Sequence, residues 1–331
     1  MTYVELPDDR KRRLSFYLAM EEYVARRMDG RDWFFMWRVP PTVIFGRNQV
    51  IENEVNIEYC RQHGIEMYRR KSGGGCVYSD MNNVMFSYVT ADGNVNMTFN
   101  KYMNIICLML MRMGVDATSS GRNDILIDGR KVSGNAFYRC AGRSIVHGTM
   151  LFDTDMDNMT AAITPTREKL ESKGVDSVRS RIALLKDYTG MTIDEFMLHA
   201  RTSMCSDCVV LTEEQVAEIE EIELEYISEK FIYGNNPRAT KIIRKHIDGV
   251  GNFEIRLETK GGVIKDINIL GDYFLLGDIE GEVLKPLRGI SYNSESIEHA
   301  LSKMGGEVIK GLDKMSLIGL LVEDNPSLCN T

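Results

Sequence analysis

The sequence is poor in the residues that most often carry proton transfer or form a disulfide framework. Its 331 residues include five histidines and seven cysteines. An odd number of cysteines at irregular spacing argues against a disulfide framework and is typical of a reducing compartment. The one CxxC pair, Cys205 and Cys208, has no second ligand pair, so a zinc site is not expected. We predict a cytoplasmic protein.

Long apolar runs and an excess of positive charge are also missing. The apolar run at residues 105–111 is too short to cross a bilayer, and the N-terminus has no apolar segment of signal-peptide type. With 40 basic and 48 acidic residues the net charge is -8, which gives no nucleic-acid footprint. The basic run at residues 10–13 opens a helical pattern, and a solvated helix start explains it. Neither a membrane nor a nucleic acid is an expected partner.

Helical and strand-like patterns alternate along most of the chain. Strand-like runs lie at residues 34–38, 43–46, 65–70, 84–90 and 144–152. Helical patterns lie at residues 10–28, 53–63, 98–113, 192–204 and 211–229, and residues 154–187 are helical or loop-like with many basic groups. The interleaving predicts an α+β fold with a mixed sheet and surrounding helices.

A turn signal near residue 240 divides the chain. Gly-Asn-Asn-Pro at residues 234–237 has turn chemistry. Strand-like alternation follows at residues 242–247, 252–259 and 263–269, and helical patterns lie near residues 294–304 and 313–322. We predict a large domain at residues 1–240 and a small α+β domain at residues 241–331, a division that suits a chain of 331 residues.

The stretch RRKSGGGCVYSD, residues 69–80, combines two arginines with three glycines. Consecutive glycines let backbone N–H groups approach a ligand closely, as an anion requires. The stretch is neither a Walker A loop nor a GxGxxG fingerprint. Arg70 adds donors that suit a phosphate or a carboxylate. A mobile turn and a phosphate site remain about equally good interpretations.

An Asp128-Gly129 pair between two strand-like runs predicts a β-hairpin. Such a hairpin would present Asp124 on one strand and Lys131 on the other. A Mg2+ carboxylate beside a cation is what phosphoryl or nucleotidyl transfer requires. A plain surface lysine is the alternative, and His147, within an apolar strand, fits a core residue as well as a ligand contact.

Taken in order, four segments resemble the lipoate-protein ligases: RRKSGGGCVYSD, GRNDILIDGRKVSG, VHGTMLF and EKLESKGVDSVRSRI. The resemblance runs from about residue 12 to the C-terminus and includes FIYGNNP and GDYF. These enzymes adenylate lipoate and transfer the acyl group to a lysine on a carrier domain. The resemblance implies the fold of the biotin and lipoyl protein ligases, with a small C-terminal lid domain.

The resemblance also implies roles for individual residues. Lys131 falls on the catalytic lysine that touches the lipoate carboxylate and the α-phosphate, and Asp124 falls on the Mg2+ side of the pocket. The ATP and adenylate contacts are expected from Arg70, Gly75, Cys76, Val77, Tyr78, Asn123, Asp124 and Lys131. The lipoate contacts are expected from Gly74, Gly75, Lys131, His147 and Gly148.

The implied reaction consumes ATP, with Mg2+, and makes lipoyl-AMP before transfer. The implied carriers are lipoyl domains of 2-oxoacid dehydrogenase complexes or the glycine-cleavage carrier protein. By alternation along the strands, an apolar slot for the acyl chain is expected from Val77, Tyr78, Val84 and Phe86, although the same residues fit a plain core.

Two residues depart from the family pattern: Ser79 stands where a histidine is usual, and Asn82 where a glycine is usual. Both bear on acyl-chain preference and on rate more than on the reaction class. The main rival is an acyltransferase of the same fold that works without ATP through a thioester on Cys76 or Cys140. A non-catalytic lipoate-binding or carrier-binding protein is a second rival, and a biotin ligase is a third and weaker one.

Overall fold

The computed structural model describes residues 1–163, 180–234 and 239–322. The chain forms two compact units. The first comprises residues 1–45, 51–71 and 76–232, and the second comprises residues 46–50, 72–75 and 233–331. Most of the EKLESKGVDSVRSRI segment, the central part of the helical or loop-like region at 154–187, and most of the Gly-Asn-Asn-Pro turn lie outside the described residues.

The first unit contains an eight-stranded and a three-stranded sheet. The strands of this unit are β1 (Thr2–Glu5), β2 (Trp33–Trp37), β3 (Thr42–Phe45), β4 (Glu66–Arg69), β5 (Val77–Ser79), β6 (Asn83–Thr90), β7 (Ala117–Ser119), β8 (Asp124–Ile127), β9 (Arg130–Cys140), β10 (Arg143–Leu151) and β11 (Asp207–Val210). The large sheet has the order β11-β1-β2-β6-β10-β9-β8-β7, and the small sheet has the order β4-β3-β5. Parallel pairing of β1 with β2 and β11 makes the large sheet mixed, which confirms the expected fold class.

Helices surround these sheets. They are α1 (Leu14–Arg27), α2 (Ile51–Glu54), α3 (Ile57–Gln62), α4 (Val95–Arg112), α5 (Met156–Ala162), α6 (Ile193–Met204), α7 (Glu213–Tyr226) and α8 (Glu229–Tyr233). The helix expected at residues 10–28 begins only at Leu14, because Asp8 binds the side chains of Arg10 and Arg12 ahead of it. The helix expected at 53–63 is two helices, and Asn56 caps the second by accepting from the Tyr59 N–H at 3.1 Å.

One hydrophobic core joins the two sheets of the first unit. Ile44, Tyr68 and Val77 of the small sheet lie in the same buried cluster as Trp37 and Met85 of the large sheet. Helices α1 and α7 also contribute to this cluster. The two sheets and α1 therefore pack around this shared cluster. A second buried cluster contains Val43, Phe45 and Tyr78 of the small sheet.

The second unit has a three-stranded antiparallel sheet, in the order β12-β13-β14. Its elements are β12 (Lys241–Ile247), β13 (Gly251–Lys260), β14 (Val263–Gly271), α9 (Lys285–Leu287), α10 (Ser294–Ala300) and α11 (Lys314–Val322). Its three strands lie where alternation predicted them, and α10 and α11 lie in the two expected helical regions. Among the helices that the structure describes, none combines the length and the apolar character needed to cross a bilayer.

Candidate active site

The β8–β9 hairpin has the turn that its sequence predicts. Asp128 and Gly129 have φ angles of 49° and 71°. Positive φ at both central residues is the signature of the type I′ turn, which matches the twist of the two strands. The ladder then shifts, since Ile125 pairs with Ser133 but Leu126 pairs with Lys131. The extra residue on β9 is a β-bulge, a feature that often redirects a side chain beside an active site.

Lys131 and Asp124 meet on this hairpin. The Lys131 Nζ atom lies 2.8 Å from Asp124 Oδ1, and the two side chains are 34% and 29% exposed. Gly134 provides the space: a Cβ there would lie 2.7 Å from Lys131 Nζ. Asp124 Oδ1 is enclosed, and among the described residues no donor reaches it in hydrogen-bond geometry. The sequence analysis did not single out Gly134, because its use depends on the bulge.

A row of residues runs across five neighbouring strands on one face of the large sheet. Pairing across β2, β6, β10, β9 and β8 aligns Trp37, Met85, Thr149, Gly134 and Asp124. Residues directly opposite each other in a sheet point to the same face. Two residues further along β10 and β6, His147 pairs with Ser87 and so shares this face. Register therefore brings His147, Lys131 and Asp124 onto one surface.

A buried polar cluster covers the His147 end of this face. The fully buried carboxylate of Glu21, on α1, lies 2.9 Å from His147 Nδ1 and accepts from Ser87 Oγ at 2.6 Å. Ser87 Oγ in turn accepts from Trp37 Nε1 at 2.9 Å, and Tyr138 Oη donates to Glu21 at 3.3 Å. The sequence analysis missed Glu21 because a glutamate in an amphipathic helix normally faces solvent.

Gly148 and Asn123 lie on the face of the large sheet opposite the one that bears His147. A Cβ at Gly148 would lie 1.9 Å from Asn135 Oδ1, so the Asn135 side chain occupies that space. Asn123 Nδ2 donates to the Asn135 carbonyl at 3.2 Å, and Asn135 Nδ2 donates to the Asn123 carbonyl at 3.1 Å. Because side chains alternate along a strand, Gly148 and His147 point in opposite directions. The hydrogen bonds between Asn123 and Asn135 join the start of β8 to β9, and Gly148 leaves room on β10 for the Asn135 side chain.

The four residues expected to form an apolar slot for the acyl chain do not lie on one face. Phe86 contacts the rings of Phe34 and Phe196, on the face away from Ser87, and Val84 shares that face by alternation. Tyr78 packs in a second core with Val43, whereas Val77 lies in the core with Trp37. Of the four slot candidates, only Val77 lies in the cluster that contains Trp37.

The two departures from the family pattern lie in ordinary backbone. Ser79 is fully buried, and its Oγ has no hydrogen-bond partner within the described ranges. Asn82 does not have positive φ, which is found outside glycine only at Asp128 and Ala141 among the described residues. Its N–H donates to Asp80 Oδ1 at 2.9 Å. Asn82 therefore does not need the conformational freedom of the glycine that is usual at this position.

Arg70 lies buried at the end of the small sheet. Its backbone N–H donates to the Phe45 carbonyl at 3.0 Å, and its Nη1 donates to the Ile44 carbonyl at 3.1 Å. Burial lowers the pKa of the guanidinium to about 10, so it stays charged at neutral pH. A guanidinium presents N–H donors in a fixed planar fork, which is suited to binding a phosphate or a carboxylate.

The glycine loop belongs to the second unit by its contacts. The Gly74 N–H donates to the Tyr273 carbonyl at 3.1 Å. A Cβ at Gly73 would lie 2.3 Å from the same carbonyl, and a Cβ at Gly46 would lie 2.2 Å from the Gly74 carbonyl. The loop therefore contains glycine for close backbone packing as well as for any ligand. A Cβ at Gly75 would meet no described atom within 4 Å.

The thiols proposed for a thioester route are poorly suited to it. Burial raises the pKa of Cys76 well above its usual range. Burial, followed by the nearby Glu22 carboxylate, also raises the pKa of Cys140. The thiolate is the nucleophile, so a raised pKa makes both groups poorer nucleophiles at neutral pH. In the described part of the chain no three His, Cys, Asp or Glu side chains cluster as metal ligands.

Comparison with known proteins identifies the family. A family model described as the lipoyl protein ligase A/B catalytic domain matches residues 14–204, and one described as the bacterial lipoate protein ligase C-terminus matches residues 236–321. The lipoate-protein ligase LplJ of Bacillus subtilis is 36% identical over 296 residues, which cover 86% of this chain and 89% of that protein. Lipoate–protein ligase 1 of Staphylococcus aureus is 35% identical, with the same two shares.

Solved structures share the fold. P. falciparum LipL1 in complex with lipoate has a TM-score of 0.76 at 22% identity, covering 94% of this chain and 95% of that one. A bi-partite lipoate protein ligase of Thermoplasma acidophilum, studied with its E2 lipoyl domain, has a TM-score of 0.63 at 26% identity, covering 72% and 98%. Lipoate-protein ligase A bound with ATP has a TM-score of 0.61 at 24% identity, covering 70% and 98%. On the match of both family models and of these relatives, the chain belongs to the lipoate-protein ligases and is an enzyme of that family.

Proposed function

We propose that this lipoate-protein ligase works in two steps with ATP. It first joins lipoate to AMP with release of pyrophosphate, and then transfers the lipoyl group to a lysine of a carrier domain. The observation that carries the proposal is the Lys131 ammonium, which the β8–β9 bulge places beside Asp124 on the face that bears His147. The lipoate and the ATP bound by two neighbours of the same fold support these substrates.

The first step brings two anions together, so it requires fixed positive charge. A carboxylate attacks the α-phosphorus, and negative charge builds on the phosphoryl oxygens. We assign Lys131 to the lipoate carboxylate and the α-phosphate, and Arg70 to the phosphate oxygens. A preorganised donor to the charge that builds at the α-phosphate, the role assigned to Lys131, is worth about 10²–10³ in kcat. In the second step the carrier lysine attacks the mixed anhydride, and Lys131 stabilises the oxyanion while AMP leaves.

Further contacts are assigned by position. We place Gly75, Cys76, Val77, Tyr78, Asn123 and Asp124 on the adenylate side, and Gly74, Gly75, His147 and Gly148 on the lipoate side. For Asn123, Tyr78 and Gly148 the assignment refers to the backbone or to strand positioning, because their side-chain positions face Asn135 or the second core. Val77, whose side chain packs with Trp37, is the best-placed apolar contact for the acyl chain.

Asp124 is the residue we assign to Mg2+. Its carboxylate, which is 29% exposed, supplies the hard oxygen donors that Mg2+ prefers. Mg2+ commonly takes one or two protein carboxylates and completes its shell with substrate phosphates and water, so a single aspartate is adequate. When bound, the ion neutralises charge on the phosphates. Lys131 Nζ, 2.8 Å from Asp124 Oδ1, would hold the same carboxylate in place.

We propose lipoyl domains of 2-oxoacid dehydrogenase complexes, or the glycine-cleavage carrier protein, as acceptors. The T. acidophilum ligase studied with its E2 lipoyl domain supports the first group. We also propose the domain division at residue 240, which the start of the second unit at 233 and of the C-terminal family model at 236 support. The cytoplasmic location stays a prediction from the cysteine content.

The test is ATP–pyrophosphate exchange that depends on lipoate. Wild type should exchange, and Lys131→Met should lose the exchange by about 10²-fold or more because the transition-state charge is unbalanced. Arg130→Met is the matched control, since Arg130 is exposed on the same hairpin and bonds only to Tyr188 among its described partners. Retained exchange in Lys131→Met would remove Lys131 from the mechanism.

A second variant distinguishes the ATP-dependent reaction from the thioester route. Cys76→Ala should keep both lipoyl-AMP formation and transfer to an apo lipoyl domain. Loss of transfer in Cys76→Ala, together with no exchange in wild type, would instead support an ATP-independent acyltransferase. The raised pKa of the buried thiol favours the first result.

A further inference from the structure

Lys71, between Arg70 and the glycine loop, lies in a partly buried charge cluster that the proposed mechanism does not use. Its Nζ atom lies 2.6 Å from Glu22 Oε1 and 2.6 Å from Glu225 Oε2. The side chain is 18% exposed, and the ammonium lies 4.8 Å from the centre of the Tyr226 ring. Glu22 is 2% exposed and also accepts from Tyr226 Oη at 2.5 Å. Lys71 is thus held by two helices, α1 and α7.

Arg69, on the other side of Arg70, is fixed to the same part of the unit. Its Nε donates to the Phe231 carbonyl at 2.9 Å and to the Ile232 carbonyl at 3.0 Å. Its guanidinium also lies over the Phe45 ring, 4.7 Å from the centre. Both neighbours of Arg70 are therefore anchored to the segment that closes the first unit, from Glu225 to Ile232.

This arrangement constrains the direction of Arg70. Arg70 directly follows the end of β4, and its two neighbours are anchored to different elements: Arg69 to the carbonyls of α8 and Lys71 to the carboxylates of α1 and α7. The backbone of Arg70 is thus fixed from both sides, in the position from which its Nη1 reaches the Ile44 carbonyl. A rotation of the backbone at this point would move the guanidinium away from a bound phosphate and weaken their charge-assisted hydrogen bond.

We infer that Lys71 is a positioning residue: its ion pairs with Glu22 and Glu225 hold the backbone that aims Arg70 at the nucleotide. The inference rests on the proposed role of Arg70. Lys71 touches no proposed substrate group itself, so its loss should weaken the fit of ATP and leave lipoate binding and the chemical step largely intact. A merely structural lysine would instead change stability without changing the KM for one substrate.

The experiment compares kinetic constants for lipoyl-AMP formation and the Tm of full-length variants. Lys71→Met should raise the KM for ATP about tenfold, the usual effect of one misplaced charge-assisted hydrogen bond, with the KM for lipoate and kcat within about twofold of wild type. Lys71→Arg should restore most of the ATP affinity, because the guanidinium can reach both carboxylates. Lys71→Gln provides the same comparison if Lys71→Met does not fold.

Arg26→Met is the matched control. Arg26 Nη2 lies 3.0 Å from Glu22 Oε2 and the arginine is 52% exposed, so the variant removes a cation from the same glutamate without touching the Arg70 segment. It should leave the KM for ATP unchanged. A Lys71 variant with unchanged KM for ATP overturns the inference if Arg70→Met raises that KM. If neither variant raises it, the role of Arg70 is wrong, and the inference falls with it.

Discussion

In the β8–β9–β10 region, Lys131 and Asp124 are placed by ladder hydrogen bonds, a type I′ turn and one bulge, all within a continuous sheet. Residues 69–79 also form one continuous stretch of sequence, but they divide between the two units. Arg69, Arg70 and Lys71 are held by the first unit, and the Ser72–Gly75 loop is grouped with the second. Neighbouring residues of one motif can therefore have different structural supports.

The two regions also differ in the kind of interaction that holds them. The hairpin depends on backbone register, which its Asp128-Gly129 turn sets, and on space at Gly134. The stretch at 69–71 depends on buried charges and on backbone carbonyls of α8. We therefore expect the hairpin site to fail through steric changes and the Arg70 site to fail through changes of charge.

The largest effect is expected from Gly134→Ala. The new Cβ would lie 2.7 Å from Lys131 Nζ and 2.8 Å from Cε, both at the flexible end of the side chain. Lys131 must move away, whereas the backbone need not, so activity should fall about 10²-fold while stability stays near wild type. Pyrophosphate exchange and Tm together measure this. Gly190→Ala is the control, because its Cβ would meet no described atom within 4 Å. A proportional loss of Tm and activity would contradict the steric account.

The next prediction compares the stability of alanine variants at two positions of the glycine loop. A Cβ at Gly73 would lie 2.3 Å from the Tyr273 carbonyl, and backbone cannot yield as a side chain does. Gly73→Ala should destabilise the fold by about 1–3 kcal/mol. Gly75→Ala adds a Cβ with no described atom within 4 Å and should leave the Tm unchanged. Equal Tm values for the two variants would show that the loop is not packed as described.

The hairpin features could be predicted from the sequence because they depend on residues that are close together in the chain. The Asp128-Gly129 turn, the strand pattern of β9 and β10 and the proximity of Asp124 to Lys131 follow from short-range rules of hairpin geometry. The strand order of the large sheet does not, because β1 pairs with β11 across some two hundred residues, as in Thr2 with Asp207. Short strands such as β5 and β7, with three residues each, are also too short for a periodic signal.

The residues that sequence reasoning missed are those whose use depends on tertiary contact. Glu21 and Glu22 look like the solvent side of an amphipathic helix, yet both are buried and bind His147 and Lys71 respectively. The need for a glycine at position 134 depends on the bulge, because the bulge places the Lys131 side chain over that position. The one available signal was two adjacent glutamates inside an otherwise apolar stretch of α1, a pattern that calls for buried partners.

A smaller kinetic effect is expected from Arg70→Lys. A lysine keeps the charge but cannot donate to the Ile44 carbonyl and to a phosphate in the fixed geometry of a guanidinium. The KM for ATP should rise about tenfold, in line with the loss of one charge-assisted hydrogen bond. Arg61→Lys, at an exposed position of α3, should match wild type. An unchanged KM for ATP in Arg70→Lys would mean that Arg70 acts only as a general positive charge.

The smallest effect concerns pH and Glu22. Burial by itself raises the pKa of Glu22, but hydrogen bonds from Lys71 and Tyr226 outweigh it, so the pKa lies below its usual value. A carboxylate whose pKa is lowered by folding stabilises the protein above the pKa of the unfolded chain, and this contribution is lost as the pH falls through the folded pKa.

Glu22→Gln lacks that contribution at every pH. The difference in Tm between wild type and Glu22→Gln should therefore be greatest near pH 7 and should shrink as the pH is lowered towards the folded pKa of Glu22. Thermal unfolding of the two proteins across this range is the measurement, with wild-type KM for ATP followed in parallel. Because protonated Glu22 no longer attracts Lys71, that KM should rise over the same interval in which the Tm difference closes. A Tm difference that is constant with pH would show that Glu22 contributes packing rather than charge, and that the Arg70 segment, like the hairpin, is held mainly by shape.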